Sequence, residues 1–247
     1  MASQVTSLKE LKRRYQSAPL EHSQQVGAAV DLGDIGAITS FRLHEATGST
    51  RHSLAFCMAS RIGRRVFWVG EGRSVQALRA RGVQRFMDTD QLVTIQTANR
   101  AETLWAGEEA LRCAGVGLVV MECAVGPDLF ESRRLQIAAQ AGRTTGLTLI
   151  GRRAQASACQ TRWHCTAETR SGTLAGTWRW SLTKDKQGPE QSWEAHWEDS
   201  KRTSRAFTPA NLFAHAAAKH EERETFDEPV RGQVRAMPGR VVSEASP

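Results

Sequence analysis

Residues 40–54, SFRLHEATGSTRHSL, bring a glycine, hydroxyls, a guanidinium and an imidazole together between an apolar run and an amphipathic one. A phosphate-binding loop does its chemistry in this setting. Glycines let backbone N–H groups close round phosphates, a Lys reaches the β- and γ-phosphates, and a following Ser or Thr hydroxyl ligates Mg²⁺. Gly48 fits that scheme, but the loop is degenerate over Gly48, Ser49, Thr50, Arg51 and His52, with Thr50, Arg51 and His52 at the corresponding positions. Arg51 is a bulky planar fork where a slender point charge is wanted, and an imidazole is a poor ligand for a hard cation. The window predicts a nucleotide-binding architecture without nucleotide chemistry. No enzyme and no cofactor are therefore expected, with ATP and Mg²⁺ as the alternative. Cys159, His164 and Cys165 offer no fourth ligand at finger-like spacing, so no metal is expected either.

The surrounding pattern alternates strand and helix signals. Strands are predicted over 36–43, 66–70, 92–96, 116–122 and 147–150, and helices over 53–62, 74–81, 100–113 and 129–141. Asn99 with Glu102 and Asp128 with Glu131 are spaced as helix starts, and Gly142 as a stop. On the third helix Ala101, Leu104, Trp105 and Leu111 are placed near one face. Such alternation implies βαβ crossovers and a mainly parallel sheet covered on both faces. Beyond residue 150 the period becomes two. Trp178, Trp180 and Leu182 share one side, as do Trp193, Ala195 and Trp197, which predicts an antiparallel Trp-rich hairpin, with a further strand over 161–168. The Trp pairs fit core packing better than base stacking.

A chain of 247 residues that is 40% hydrophobic buries one substantial core. The expected organisation is an N-terminal helix and linker over 1–34, a core over 35–199, and a mostly disordered tail over 200–247 with a short helix at 210–219. On that helix Leu212, Phe213 and Ala216 form a candidate partner contact. No apolar stretch approaches a membrane span and the amino terminus has no leader pattern. A soluble cytoplasmic protein, with reduced thiols at its five cysteines, is the expectation. The net charge of +7 and pI near 9.6 permit an acidic partner such as DNA. The excess is mostly arginine, and between Arg61 and Arg85 seven arginines face only Glu71. Arg64, Arg65, Arg73, Arg152 and Arg153 are the candidates for DNA contact, against the alternative of a solvated basic surface.

The order of a phosphate-loop position, VFWVGEG, LVTIQ, VGLVVME and a hairpin on LTKDKQG is similar to that of RecA-type ATPase cores. Within it, ETLWAGEEALRC and SRRLQIAAQAG resemble the ImuA family, RecA-like accessory proteins of damage-induced mutagenesis cassettes. The resemblance implies a degenerate RecA-like three-layer α/β core. It also implies that Glu71 matches a water-activating glutamate and Glu122 a carboxylate beside Mg²⁺, both vestigial without the loop lysine. It implies an accessory role in error-prone translesion synthesis during the SOS response. The partners would be an inactive Y-family polymerase homologue (ImuB-type) and an error-prone replicative-type polymerase, with DNA contact indirect and the protein near the nucleoid after damage. The SulA type of division inhibitor, another shortened RecA-like relative, is one alternative; a weak ATP-dependent DNA-binding protein is the other. The short segments after the fourth and fifth strands argue against a filament-forming recombinase.

Overall fold

The computed structural model describes residues 10, 13, 29–32, 35–76, 78, 80–84, 86–168, 177–196 and 236–238. The predicted helix at 210–219, with Leu212, Phe213 and Ala216, lies outside them, as do Trp197 and nearly all of the predicted amino-terminal helix. Strands β1 (Ala29–Asp31) and β2 (Ala37–Thr39) pair antiparallel as a small separate sheet. Strand β3 (Leu43–Thr47) leads into helix α1 (Arg51–Ile62), followed by β4 (Val66–Glu71), α2 (Gly72–Gln76), α3 (Ala80–Val83), β5 (Leu92–Thr97) and α4 (Arg100–Leu111). Then come β6 (Leu118–Val125), α5 (Leu129–Gly142), β7 (Thr145–Arg153), β8 (Thr161–Glu168), β9 (Thr177–Asp185), β10 (Gln191–His196) and β11 (Ala236–Pro238).

These last strands form one sheet in the order β11-β10-β9-β8-β3-β7-β6-β4-β5. From β8 to β5 every pairing is parallel, whereas β9 runs antiparallel to both β8 and β10. With β3 inside the sheet and the antiparallel hairpin at one end, this is the expected three-layer α/β fold with a mainly parallel sheet. Alternation along the strands makes two cores. Trp68, Val120, Leu147, Leu149 and Trp180 meet α1 on one face, while Phe67, Val69, Val119 and Met121 meet α4 and α5 on the other. Trp178 and Trp180 stack at 6.2 Å and Trp163 meets Trp193 at 5.5 Å, so the hairpin indoles pack inward as expected.

Several boundaries differ from expectation for local reasons. The strand predicted at 36–43 is instead the end of a hairpin, and the phosphate-loop strand begins at Leu43. Phe41 adopts φ 59, which breaks any continuous strand there. The helix predicted at 74–81 is two short pieces. The cap signals at Asn99 and Asp128 are present, the second as a full capping box. Gly142 does not cap α5 as predicted: it is the last helical residue, and Arg143 takes the left-handed position with φ 52. Gly142 is needed because a Cβ there would stand 2.0 Å from the Leu111 carbonyl oxygen. Ala101 and Trp105 face solvent rather than joining Leu104 and Leu111 inside. The tail predicted from residue 200 returns to the sheet as β11.

Two buried polar arrangements hold β3. Glu45, fully buried, receives Arg162 Nε at 2.8 Å, while Arg162 also donates to the Gln155 carbonyl and, at 3.1 Å, to Ser157 Oγ. The pair ties β3 to β8 beneath the crossover 154–160. His44, also fully buried, lies with Nε2 2.9 Å from the Thr39 carbonyl and Nδ1 2.7 Å from Thr161 Oγ1. The carbonyl only accepts, so Nε2 carries the proton. Thr161 Oγ1 accepts from Trp163 Nε1 at 2.9 Å and donates onward to Nδ1.

Burial, opposed by the Thr39 hydrogen bond and aided by the Arg42 charge, lowers the His44 pKa to about 4. The unfolded chain therefore binds this proton first, and the stability from neutral His44 is complete above about pH 6.5 and lost as pH falls through about 4. The full span is on the order of 3 kcal/mol. His44→Gln is expected to lower stability at pH 7 by about 1–3 kcal/mol and to flatten its decline between pH 6.5 and 4. Urea unfolding at a series of pH values measures both.

Candidate functional site

The connection between β3 and α1 is only residues 48–50, and it is docked onto the neighbouring strand. Gly48 has φ 90, and a Cβ there would lie 2.1 Å from the Cys165 carbonyl oxygen. Thr50 donates its backbone N–H to that same oxygen at 3.1 Å. Thr47 Oγ1 donates to the Trp163 carbonyl at 3.1 Å, fixing the preceding residue to β8 as well. A loop that wraps phosphate must aim its amides at the ligand. Here the Thr50 amide is already paired within the protein, and glycine at 48 serves close approach of two backbones.

The side chains at the head of α1 turn inward to the protein. Arg51 Nη1 donates to the Gly48 carbonyl at 3.0 Å, folding the guanidinium back over the turn, and its buried Nε has no hydrogen-bond partner among the described residues. His52 Nε2 lies 3.4 Å from Glu122 Oε1, the oxygen that also accepts from Trp68 Nε1 at 2.6 Å. The imidazole stacks on Trp68 with ring centroids 6.1 Å apart and planes 5° from parallel. Phe56 follows at 5.3 Å from Trp68, and Phe86 at 4.9 Å from Phe56. Burial alone would raise the Glu122 carboxyl, but hydrogen bonds from His52 and Trp68, with the charges of His52 and Arg51, outweigh it and hold the pKa below its ordinary value. Glu122 thus offsets the Arg51 charge and faces the His52 imidazole at the positive end of a helix whose first turn has no acid of its own.

Parallel pairing aligns Gly70 with Glu122, which brings Glu71 to the neighbouring strand end, where it is exposed. Arg152 and Arg153 stand exposed at the same end of the sheet, on β7, with Arg153 Nη2 3.4 Å from Gln155 Oε1. Arg73 starts from α2 at that end too, and its side chain lies outside the described residues. Arg64 and Arg65 do not join them. They precede β4, so a six-residue strand, about 20 Å, separates them from Glu71 and the α1 turn. Arg64 Nη2 donates to the Ala114 carbonyl at 2.8 Å and Arg65 Nη1 to the Asp90 carbonyl at 3.3 Å, stapling the opposite edge. Burial and the Arg143 charge lower the Arg64 pKa. The arginine run is therefore two separate groups rather than one surface. Trp68 is the site residue that sequence reasoning missed. Its signal was an indole alternating within VFWVGE two residues before Gly70.

All five cysteines are buried and free, and burial pushes Cys57 and Cys123 up to about 12. Among the described residues no three His, Cys, Asp or Glu side chains gather as a metal site, and no helix is long and apolar enough to cross a membrane.

No family model matches the chain, and no curated protein matches it. Among solved structures, it is similar to one described as the crystal structure of the RadB recombinase. The identity is 9%, the match covers 65% of this chain and 90% of that one, and the TM-score is 0.47.

Two outcomes are expected at this site. Gly48→Ala combines a left-handed backbone with a collision against β8 and is expected to cost about 2–5 kcal/mol, read as a fall in Tm. Glu122→Gln removes a carboxylate whose contribution is present above about pH 4.5 and lost as pH falls through its lowered pKa. The variant should therefore unfold with a shallower acid dependence below pH 4.5, measured by circular dichroism across pH.

Proposed function

We propose that this protein is a non-catalytic accessory of damage-induced, error-prone translesion DNA synthesis, of the ImuA type. The observation that carries the proposal is the pairing of the Thr50 amide and Gly48 with Cys165, at the position where a RecA-type core would hold triphosphate. Glu122, implied as a metal-side carboxylate, is engaged by Trp68 and His52. A core with those groups committed to its own packing works by presenting surfaces. Its proposed partners are an inactive Y-family polymerase homologue and an error-prone replicative-type polymerase, with residues 210–219 as a proposed contact. The proposed setting is the cytoplasm, near DNA after damage.

A second reading, direct DNA contact, is favoured by the exposed Arg152 and Arg153 at the end of β7. Each phosphate that these arginines neutralise would steepen the fall of affinity with salt. Arg152→Ala with Arg153→Ala should then reduce that slope by about 2. Binding that is weak and flat across salt would remove this reading.

The deciding experiment is ultraviolet-induced mutation frequency in a deletion strain, scored with survival and cell length. Mutagenesis is expected to fall toward the uninduced level and to be restored equally by wild type and by Arg51→Ala. Unchanged mutagenesis would reject the proposal. Restoration by wild type alone, with ATP binding lost in Arg51→Ala, would replace it by the nucleotide-dependent alternative.

A further inference from the structure

Three buried polar atoms without a hydrogen-bond partner among the described residues belong to side chains between the sheet and α5: Glu45 Oε1, Thr148 Oγ1 and Gln136 Nε2. Glu45 and Thr148 have no exposed surface, and Gln136 is 4% exposed. Register brings the first two side by side, since Glu45 on β3 is the parallel partner of Thr148 on β7. Leu43, two residues before Glu45, packs on the face that α4 and α5 cover, whereas Leu147 and Leu149, on either side of Thr148, pack on the other. Side chains alternate along a strand, so Glu45 and Thr148 both point towards α5. Gln136 comes down from α5 to that same face, its Oε1 accepting the Leu43 N–H at 3.0 Å.

Both Arg162 contacts on the Glu45 carboxylate fall on Oε2, at 2.8 Å from Nε and 2.7 Å from Nη2. Strands β8 and β7 flank β3 on opposite sides. Arg162 on β8 therefore leaves Oε1 to the β7 side, where Thr148 stands. Neighbouring strands lie about 4.8 Å apart, and one water with hydrogen bonds of about 2.8 Å spans oxygens up to about 5.6 Å apart. Buried polar atoms as a rule have partners, and ordered water supplies those that the chain itself does not.

We propose that Glu45 Oε1, Thr148 Oγ1 and Gln136 Nε2 form a binding site for one internal water. The water donates to Glu45 Oε1 and accepts from the Thr148 hydroxyl and the Gln136 amide, three bonds in all, as is usual for an enclosed water. The donor set selects a neutral molecule. Arg162 already balances the carboxylate, a sodium or ammonium ion has no lone pair to accept the Gln136 N–H, and an anion would face Glu45. The bridge ties β3 to β7 and α5 as Arg162 ties it to β8, so one carboxylate holds the strand from both sides. The site involves neither the α1 turn nor a polymerase partner, so it stands apart from the role in lesion bypass.

The test reads the wild-type chain first. With methyl labelling, the Thr148 methyl group should show a magnetisation-transfer peak to water, with the sign of a molecule that tumbles with the protein. Thr148→Val then removes the hydroxyl at nearly constant shape, and the sign of its effect decides. A hydroxyl that holds water makes the valine variant less stable, by about 0.5 M in the urea midpoint, while Thr148→Ser keeps more of the wild-type stability. An orphaned hydroxyl makes valine neutral or stabilising, which would overturn the proposal, as would a wild-type methyl group with no water peak. Midpoints should be equal in sodium, potassium and choline chloride at one ionic strength. A midpoint that follows the identity of the cation would assign the site to a monovalent ion and also overturn it.

Discussion

The structure turns on the contact of the α1 turn with the backbone of β8 at Cys165. Because β3 is an interior strand, its exit must pass between β7 and β8, and three residues are all that link it to α1. Glycine at 48 permits an approach that any side chain would block, and the Thr50 amide closes it with a hydrogen bond. This fixes where α1 starts and how its buried Leu54 and Met58 meet the sheet. It also joins the parallel half of the sheet to the antiparallel hairpin carried by β8.

Once the turn is closed, the charges around it need internal partners. Arg51 stands at the positive end of a helix, an unfavourable position for a cation. Glu122 is the carboxylate that offsets it and faces His52, and the Trp68 indole fixes its orientation through one oxygen. A second carboxylate, Glu45, lies deeper in the same strand layer and is compensated by Arg162. Removing either member of such a pair leaves a charge in a low-dielectric interior, which costs more than the pair contributes. The Glu45–Arg162 pair crosses between β3 and β8 and the Trp68–Glu122 hydrogen bond between β4 and β6, so both also fix strand register. Polar groups on β3 and β6 thus hold neighbouring elements together at this end of the sheet.

Much of the architecture was legible in the residues. Short apolar runs gave the parallel strands, the spacing of Asn99 with Glu102 and of Asp128 with Glu131 gave two helix starts, and alternating tryptophans gave the hairpin and its inward face. Expectation failed where local pattern competed with tertiary contact. Residues 36–43 read as a strand by composition, but Phe41 sits in a left-handed turn that Thr145 supports, its Oγ1 accepting the Phe41 N–H at 3.2 Å. Trp105 fits an apolar stripe by type, and only the seating of α4, with Gly107 against Met121, turns it to solvent. Gly142 was read as a stop because glycine favours left-handed caps, when the approach of Leu111 is what requires it.

The sequence by itself determined most element types, their order and the presence of Arg51 at the head of α1, because these follow from local spacing and residue type. Only the tertiary structure decided what the turn before α1 and the carboxylate on β6 contact. The Cys165 carbonyl that receives the Thr50 amide is 115 residues away, and the Trp68 indole that holds Glu122 is 54 residues from it. No local pattern encodes such pairings. They arise when parallel crossovers bring distant strands to one end of a sheet, and the same crossovers place Arg64 and Arg65 at one end of the strands and Arg152 and Arg153 at the other.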